Sequence, residues 1–121
     1  MARSVMVVED SKSMRQLVSF SLEDSGFSVV TAENGQDALD KLNGSPPSVI
    51  ITDLNMPVMN GIDFIKNLRM KDGYKYLPVI MLTTESQEQK RQEGKKAGAS
   101  GWMVKPFTPE QLINVVKKLA R

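Results

Sequence analysis

The chain has 121 residues, 40% hydrophobic and 25% charged, which suits one globular domain over residues 1–121 and not two. Cysteine and histidine are both absent, which excludes disulfides, zinc fingers, thiol nucleophiles and every catalytic triad built on imidazole. Any chemistry therefore rests on carboxylates, hydroxyls and lysines, and the net charge of +2 divides unevenly: residues 1–60 carry 4 Lys/Arg against 8 Asp/Glu and residues 61–121 carry 12 against 6, a solvated surface or an anion-binding or acidic-partner face in the second half.

The first apolar run is Val5 to Val8, too short for a signal sequence or a membrane span, so a cytoplasmic protein is expected. Behind it, Met14, Leu17, Val18, Ser21 and Leu22 share one helical face, and Gly26 is the stop. Phe27 to Thr31 is a more mixed run, as befits an edge strand. A second helix is predicted from Asn34 to Asn43, with Ala38, Leu39 and Leu42 inward and Gly44 as its stop. Val49 to Ile51 is the third run, and a third helix from about Asn60 uses Ile62, Ile65 and Leu68. The fourth run is Val79 to Leu82.

Ser86 to Gly98 opens like a helix, with Ser86 and Gln89 at capping-box spacing, yet Ala97 is nearly its only apolar side chain. Gly94 inside it costs about 1 kcal/mol relative to alanine. This thinly anchored segment is a candidate moving part or docking surface, and the pattern fits a plain polar, peripheral helix at least as well. After the fifth run, Trp102 to Val104, a last helix starts at Thr108 and Pro109, with Gln111 completing a capping box and Leu112, Val115, Val116 and Leu119 as its stripe.

Continuous β-branched runs alternating with amphipathic helices indicate an α/β fold, a doubly wound parallel sheet with helices on both faces. Ligands of such sheets bind beyond the carboxyl ends of the strands. There the chain places Glu9 and Asp10, Asp53, Thr83 and Thr84, and Lys105 with Pro106. Singly, each is an ordinary turn or cap residue. Together they set three carboxylates against one ammonium group. Two carboxylates 4 Å apart repel by about 4 kcal/mol at an effective dielectric near 20, so a further positive charge is required. Oxygen-only ligands favour a hard cation, and few carboxylates with room for water favour Mg²⁺ over Ca²⁺.

The strings V-V-E-D-S, T-D-L-N-M-P, L-T-T-E and V-K-P-F resemble the response-regulator receiver domain, particularly the single-domain chemotaxis (CheY-like) type, over essentially the whole chain. The resemblance implies a flavodoxin-like five-stranded sheet of order 2-1-3-4-5 flanked by five helices. It implies that Asp53 accepts a phosphoryl group from the phosphohistidine of a sensor histidine kinase. Asp10 and Asp53 would bind Mg²⁺ directly, Glu9 through a water, and Asn55 through its backbone carbonyl. Lys105 and Thr83 would contact the phosphoryl oxygens, with Thr83 and Trp102 as the switch pair and a cis bond joining Lys105 to Pro106. Asn55 and Glu85 would tune rapid self-dephosphorylation. Glu9 stands where aspartate is also common in this family, and Trp102 where tyrosine or phenylalanine is more usual.

The implied protein is a monomeric switch, not an enzyme, whose output face at residues 84–121 binds a target such as the flagellar motor switch, with no direct contact to nucleic acid or membrane. The alternatives are a stand-alone receiver of another phosphorelay and an Mg²⁺-dependent phosphatase with an aspartyl nucleophile. The phosphatase needs a second aspartate two places after the first, where this chain has Asn55. A flavodoxin-like cofactor binder is disfavoured because residues 9–13 present acids where a phosphate cradle presents amides.

Overall fold

The computed structural model describes residues 3–42, 45–84 and 88–120. Strands and helices alternate: β1 (Ser4–Val8), α1 (Lys12–Asp24), β2 (Ser28–Ala32), α2 (Gly35–Lys41), β3 (Val49–Asp53), α3 (Gly61–Arg69), β4 (Val79–Thr84), α4 (Glu88–Ala97), β5 (Gly101–Lys105) and α5 (Pro109–Leu119). The strands form one sheet in the order β2-β1-β3-β4-β5, every neighbouring pair parallel.

Side chains of the central strands alternate between two cores. Val5, Val7, Val49, Ile51, Ile80 and Leu82 face α1 and α5, where Val18, Leu22, Leu112 and Val116 meet them. Met6, Val8, Ile50 and Met81 face the opposite layer, with Ala38, Phe64, Ile65 and Leu68. Burial on both faces is why these runs are continuously apolar. Each buried Val, Leu, Ile, Phe or Met side chain contributes about 1.5–3 kcal/mol of transfer free energy. β2, at the sheet edge, shows the exposed and half-buried alternation that its mixed composition predicts.

Helix starts follow their caps. Asn34 Oδ1 accepts from the Asp37 amide at 2.8 Å, Asn60 Oδ1 from the Asp63 amide at 2.9 Å, and Thr108 and Gln111 form the predicted reciprocal box. Caps of this kind contribute about 1 kcal/mol each.

Three expectations need correction. Leu17 lies on the predicted buried stripe of α1 but is 56% exposed, because it borders an open groove between α1 and α5 lined also by Phe20, Pro109 and Ile113. The α2 helix ends at Lys41, because Leu42 turns to extended backbone (ψ 108°) while remaining buried; the predicted terminal residues Asn43 and Gly44 lie outside the described residues. Phe64, absent from the predicted α3 stripe, is fully buried.

Gly94 also has a different meaning from a simple helix weakness. It is the buried position of α4 among the described residues, and an added Cβ would stand 3.0 Å from Met81 Cε and 3.1 Å from Met81 Sδ. Its lack of a side chain lets α4 lie on β4. The helix closes in a Schellman motif at Gly98 (φ +115°), whose amide donates to Lys95 O while the Ala99 amide donates to Gly94 O at 2.9 Å. Arg69 adds a bond from Nη2 to Gly98 O at 2.6 Å, so α4 is pinned at its C-terminal end. Ser86, the predicted cap at the other end, lies outside the described residues.

Candidate functional site

The carboxyl ends of β1 and β3 carry Glu9, Asp10 and Asp53 to one rim, where carboxylate oxygens of all three lie within 4.8 Å of one another. Lys105, last residue of β5, extends its ammonium to 3.1 Å from Asp53 Oδ1 and 3.5 Å from Glu9 Oε2. The Lys105–Pro106 bond is cis. The predicted carboxylates and the predicted ammonium are therefore together, at the ends of three strands.

Asp53 is tightly seated. Its Oδ1 accepts from the Leu54 amide at 3.0 Å, its carbonyl accepts from Thr52 Oγ1 at 3.0 Å, and Gly61 at the head of α3 leaves no gap against that carbonyl. Glu9 is 2% exposed and its Oε1 accepts from the Ser11 amide at 3.2 Å, while Oε2 has no hydrogen-bond partner. Thr83 is buried on β4, in register with Val104 of β5, whereas Thr84 is exposed. Asn55 is exposed on the loop after β3. Glu85 lies outside the described residues. Trp102 is half-buried against the core on the α4 side, and the Arg91 guanidinium carbon stands 3.8 Å from its ring centroid.

The charge imbalance appears in Glu9. Burial first, and then the negative charge of Asp53, raise its pKa from 4.5 to about 7, against the lowering effects of the Ser11 amide and Lys105. The folded state thus binds a proton more tightly than the unfolded chain, and stability is lost as pH rises from about 4.5 to about 7. The expected loss in metal-free protein is up to about 3 kcal/mol, at 1.36 kcal/mol per pKa unit. Urea melts at pH 5 and 7.5 measure it; an equal pH dependence in Glu9→Gln would locate the effect elsewhere.

Three carboxylates, one of them with a buried oxygen that accepts no hydrogen bond, outnumber the one ammonium within 4 Å of them among the described residues and form an oxygen donor set that fits a hard divalent cation. Sequence reasoning missed three features in and around the site. Gly61 had a visible signal, since glycine is a poor first helical residue unless something crowds it. Arg15, which bonds the carbonyls of Glu9 and Asp10, had none.

The third is Val58, at φ +69° and 81% exposed in the loop after β3, where the Met59 amide donates to Pro57 O at 2.7 Å. The i to i+2 bond makes this a γ-turn, a strained conformation with positive φ at its central residue that costs about 1–3 kcal/mol for a non-glycine residue. Val58→Asn should raise stability by about 1 kcal/mol in urea denaturation; an unchanged midpoint would mean that the turn stores no such strain.

Residues 5–117 match the family model described as "Response regulator receiver domain". The chain belongs to that family. It is 41% identical over 110 residues to the chemotaxis protein CheY1 of Helicobacter pylori (strain J99 / ATCC 700824), covering 89% of each chain. It is 39% identical over all 121 residues to the phosphate regulon transcriptional regulatory protein PhoB of Escherichia coli (strain K12), but spans only 53% of that protein's length. Its fold superposes on the Vibrio cholerae chemotaxis protein CheY4 with a TM-score of 0.93 at 48% identity, covering 98% of this receiver and 99% of that chain. Receiver domains act in two-component signalling, between sensor histidine kinases and downstream targets, and generally bind Mg²⁺. No helix among the described residues is long and apolar enough to cross a membrane.

Proposed function

We propose that this receiver takes a phosphoryl group onto Asp53 from the phosphohistidine of a sensor histidine kinase, and that the modified domain regulates a chemotaxis target such as the flagellar motor switch. The carrying observation is the seating of Asp53: Oδ1 is held by the Leu54 amide and Lys105, while Oδ2 accepts no hydrogen bond from a described residue. Oδ2 is thus the nucleophile. Its bond to phosphorus forms as the phosphorus–nitrogen bond to histidine breaks, and the departing imidazole takes up a proton from solvent.

Glu9, Asp10 and Asp53, with the Asn55 carbonyl, would hold Mg²⁺, which supplies charge neutralisation for the transferring oxygens when bound. Lys105 compensates the remaining charge, and Thr83 donates its hydroxyl to a phosphoryl oxygen. Asn55 and Glu85 tune self-dephosphorylation, in which water attacks phosphorus, the bond to Asp53 breaks, and the free carboxylate and inorganic phosphate are released. The chemistry is stoichiometric self-modification, which makes the protein a switch and not an enzyme for foreign substrates.

Phosphorylation leaves Asp53 with a charge of about −2 and new acceptor oxygens. Thr83 is drawn toward them, opening space beneath β4 and β5 for the Trp102 ring. That ring must first leave Arg91, a contact that contributes about 0.5–2 kcal/mol. The resulting change in the face of α4, β5 and α5, residues 84–121, is the output of a cytoplasmic monomer acting by protein contact. Likeness to CheY1 and CheY4 over nearly their whole lengths supports the chemotaxis reading. Treatment with a small acyl phosphate and Mg²⁺ should add one phosphoryl group at Asp53 and change Trp102 emission. Absence of labelling would overturn the acceptor assignment, and unchanged emission in fully modified protein would overturn the aromatic switch. Preferential capture of a motor-switch fragment by the modified form tests the target; equal capture of both forms would remove it.

A further inference from the structure

We infer that Arg15 is the positioning residue of the cation site. It would act by clamping the backbone that carries Glu9 and Asp10, and this deepens the metal-dependent reading above and rests on it. Arg15 stands in the first turn of α1, yet its guanidinium reaches back to the end of β1. Nη1 donates to Glu9 O at 2.7 Å and to Asp10 O at 3.2 Å. Its side chain is only 15% exposed, so these bonds are largely sheltered from water. Its carboxylate partner, Glu33, is 4.0 Å away and 72% exposed, too loose and too solvated to be the main reason for a buried arginine here.

The backbone leading into the site is held from both sides. The Glu9 amide donates to Ala32 O at 3.0 Å and ties the residue to β2, while its carbonyl is taken by Arg15. The Ser11 amide holds Glu9 Oε1, and the Arg15 amide itself donates to Ser11 O at 2.9 Å. Asp10 differs: it is exposed, and Arg15 supplies the hydrogen bond that reaches its backbone carbonyl. Without the clamp, mutual repulsion among the carboxylates of Glu9, Asp10 and Asp53 pushes the exposed member, Asp10, outward. Arg15 keeps it in reach of the ion.

The sign of the effect separates positioning from charge. Arg15 is a cation beside a site for a cation, so deleting its charge alone would tighten Mg²⁺ binding. Loss of a positioning contact weakens it instead, by about 10- to 100-fold for groups that orient metal ligands.

The test is amide NMR titration of the full chain with Mg²⁺, for wild type, Arg15→Met and Arg15→Lys, with thermal melts of each metal-free protein. Arg15→Met should raise the Mg²⁺ Kd at least about 10-fold. Arg15→Lys, which keeps the charge but must reach both carbonyls with a shorter side chain and a more strongly hydrated ammonium, should lie between it and wild type. Acyl-phosphate labelling of Arg15→Met should approach the wild-type rate at saturating Mg²⁺. Wild-type affinity or tighter in Arg15→Met overturns the inference, as does a drop in melting temperature with an unchanged Kd. If Arg15→Met does not fold, Arg15→Lys decides alone, and equal affinity there overturns it. Failure of the wild type itself to bind Mg²⁺ is a separate outcome, which overturns the metal-dependent reading and this inference with it.

Discussion

Asp53→Asn is expected to reduce labelling by an acyl phosphate in the presence of Mg²⁺ by more than about a thousandfold, to below detection. The substitution preserves shape: the Leu54 amide still finds an oxygen acceptor, and the contacts of the Asp53 carbonyl with Thr52 are untouched. What it removes is the anionic oxygen that attacks phosphorus. Continued stoichiometric labelling would place the acceptor on another residue. A second readout follows from the electrostatics of the rim. The charge of Asp53 is the second largest cause of the raised Glu9 pKa, so in the variant that pKa falls from about 7 toward its ordinary 4.5. The pH window over which metal-free protein loses stability then contracts at its upper end. A variant that neither labels nor alters this profile would mean that Asp53 and Glu9 are uncoupled, contrary to their separation.

Much of the molecule was legible because burial writes itself into side-chain type. The runs at β1, β3 and β4 are apolar on both faces since two cores meet them, and their last residues had to be the rim of the sheet. Asp53 and Lys105 could be placed there before any coordinate was known. Leu17 could not, since a helical stripe states which face is apolar but not how far the neighbouring α5 covers it. Contacts made by backbone leave still less trace. Arg15 reads as a surface charge until the carbonyls of Glu9 and Asp10 are seen at its tip. Gly94 reads as a weak point in a polar helix until Met81 is found where its side chain would stand. Val58 is the reverse case, a β-branched residue in backbone that its type disfavours, and side-chain preference points away from the observed turn.

Gly61 carries the largest expected stability effect, since the obstacle to a side chain there is main chain. A Cβ would collide with the Asp53 carbonyl oxygen and approach Leu54 Cα to 3.2 Å and Asp53 C to 3.3 Å. No rotamer change relieves this, and retreat of α3 is opposed by the bond from the Gly61 amide to Leu54 O at 2.9 Å. Gly61→Ala should therefore cost about 2–4 kcal/mol, above the usual range for a surface substitution. For a domain of this size that lowers the melting temperature by roughly 10 °C. Because the obstructed atom belongs to Asp53 itself, relief by shifting β3 moves the nucleophile relative to Lys105, and labelling slows in protein that is still folded. Gly73→Ala is the contrast: Gly73 has φ +89° and no atom within 4 Å of an added Cβ. It should cost about 1–2 kcal/mol from backbone strain alone and leave labelling unchanged. Equal stability losses in the two variants, with equal labelling rates, would show that α3 yields freely at Gly61 and that the seating of Asp53 does not depend on it.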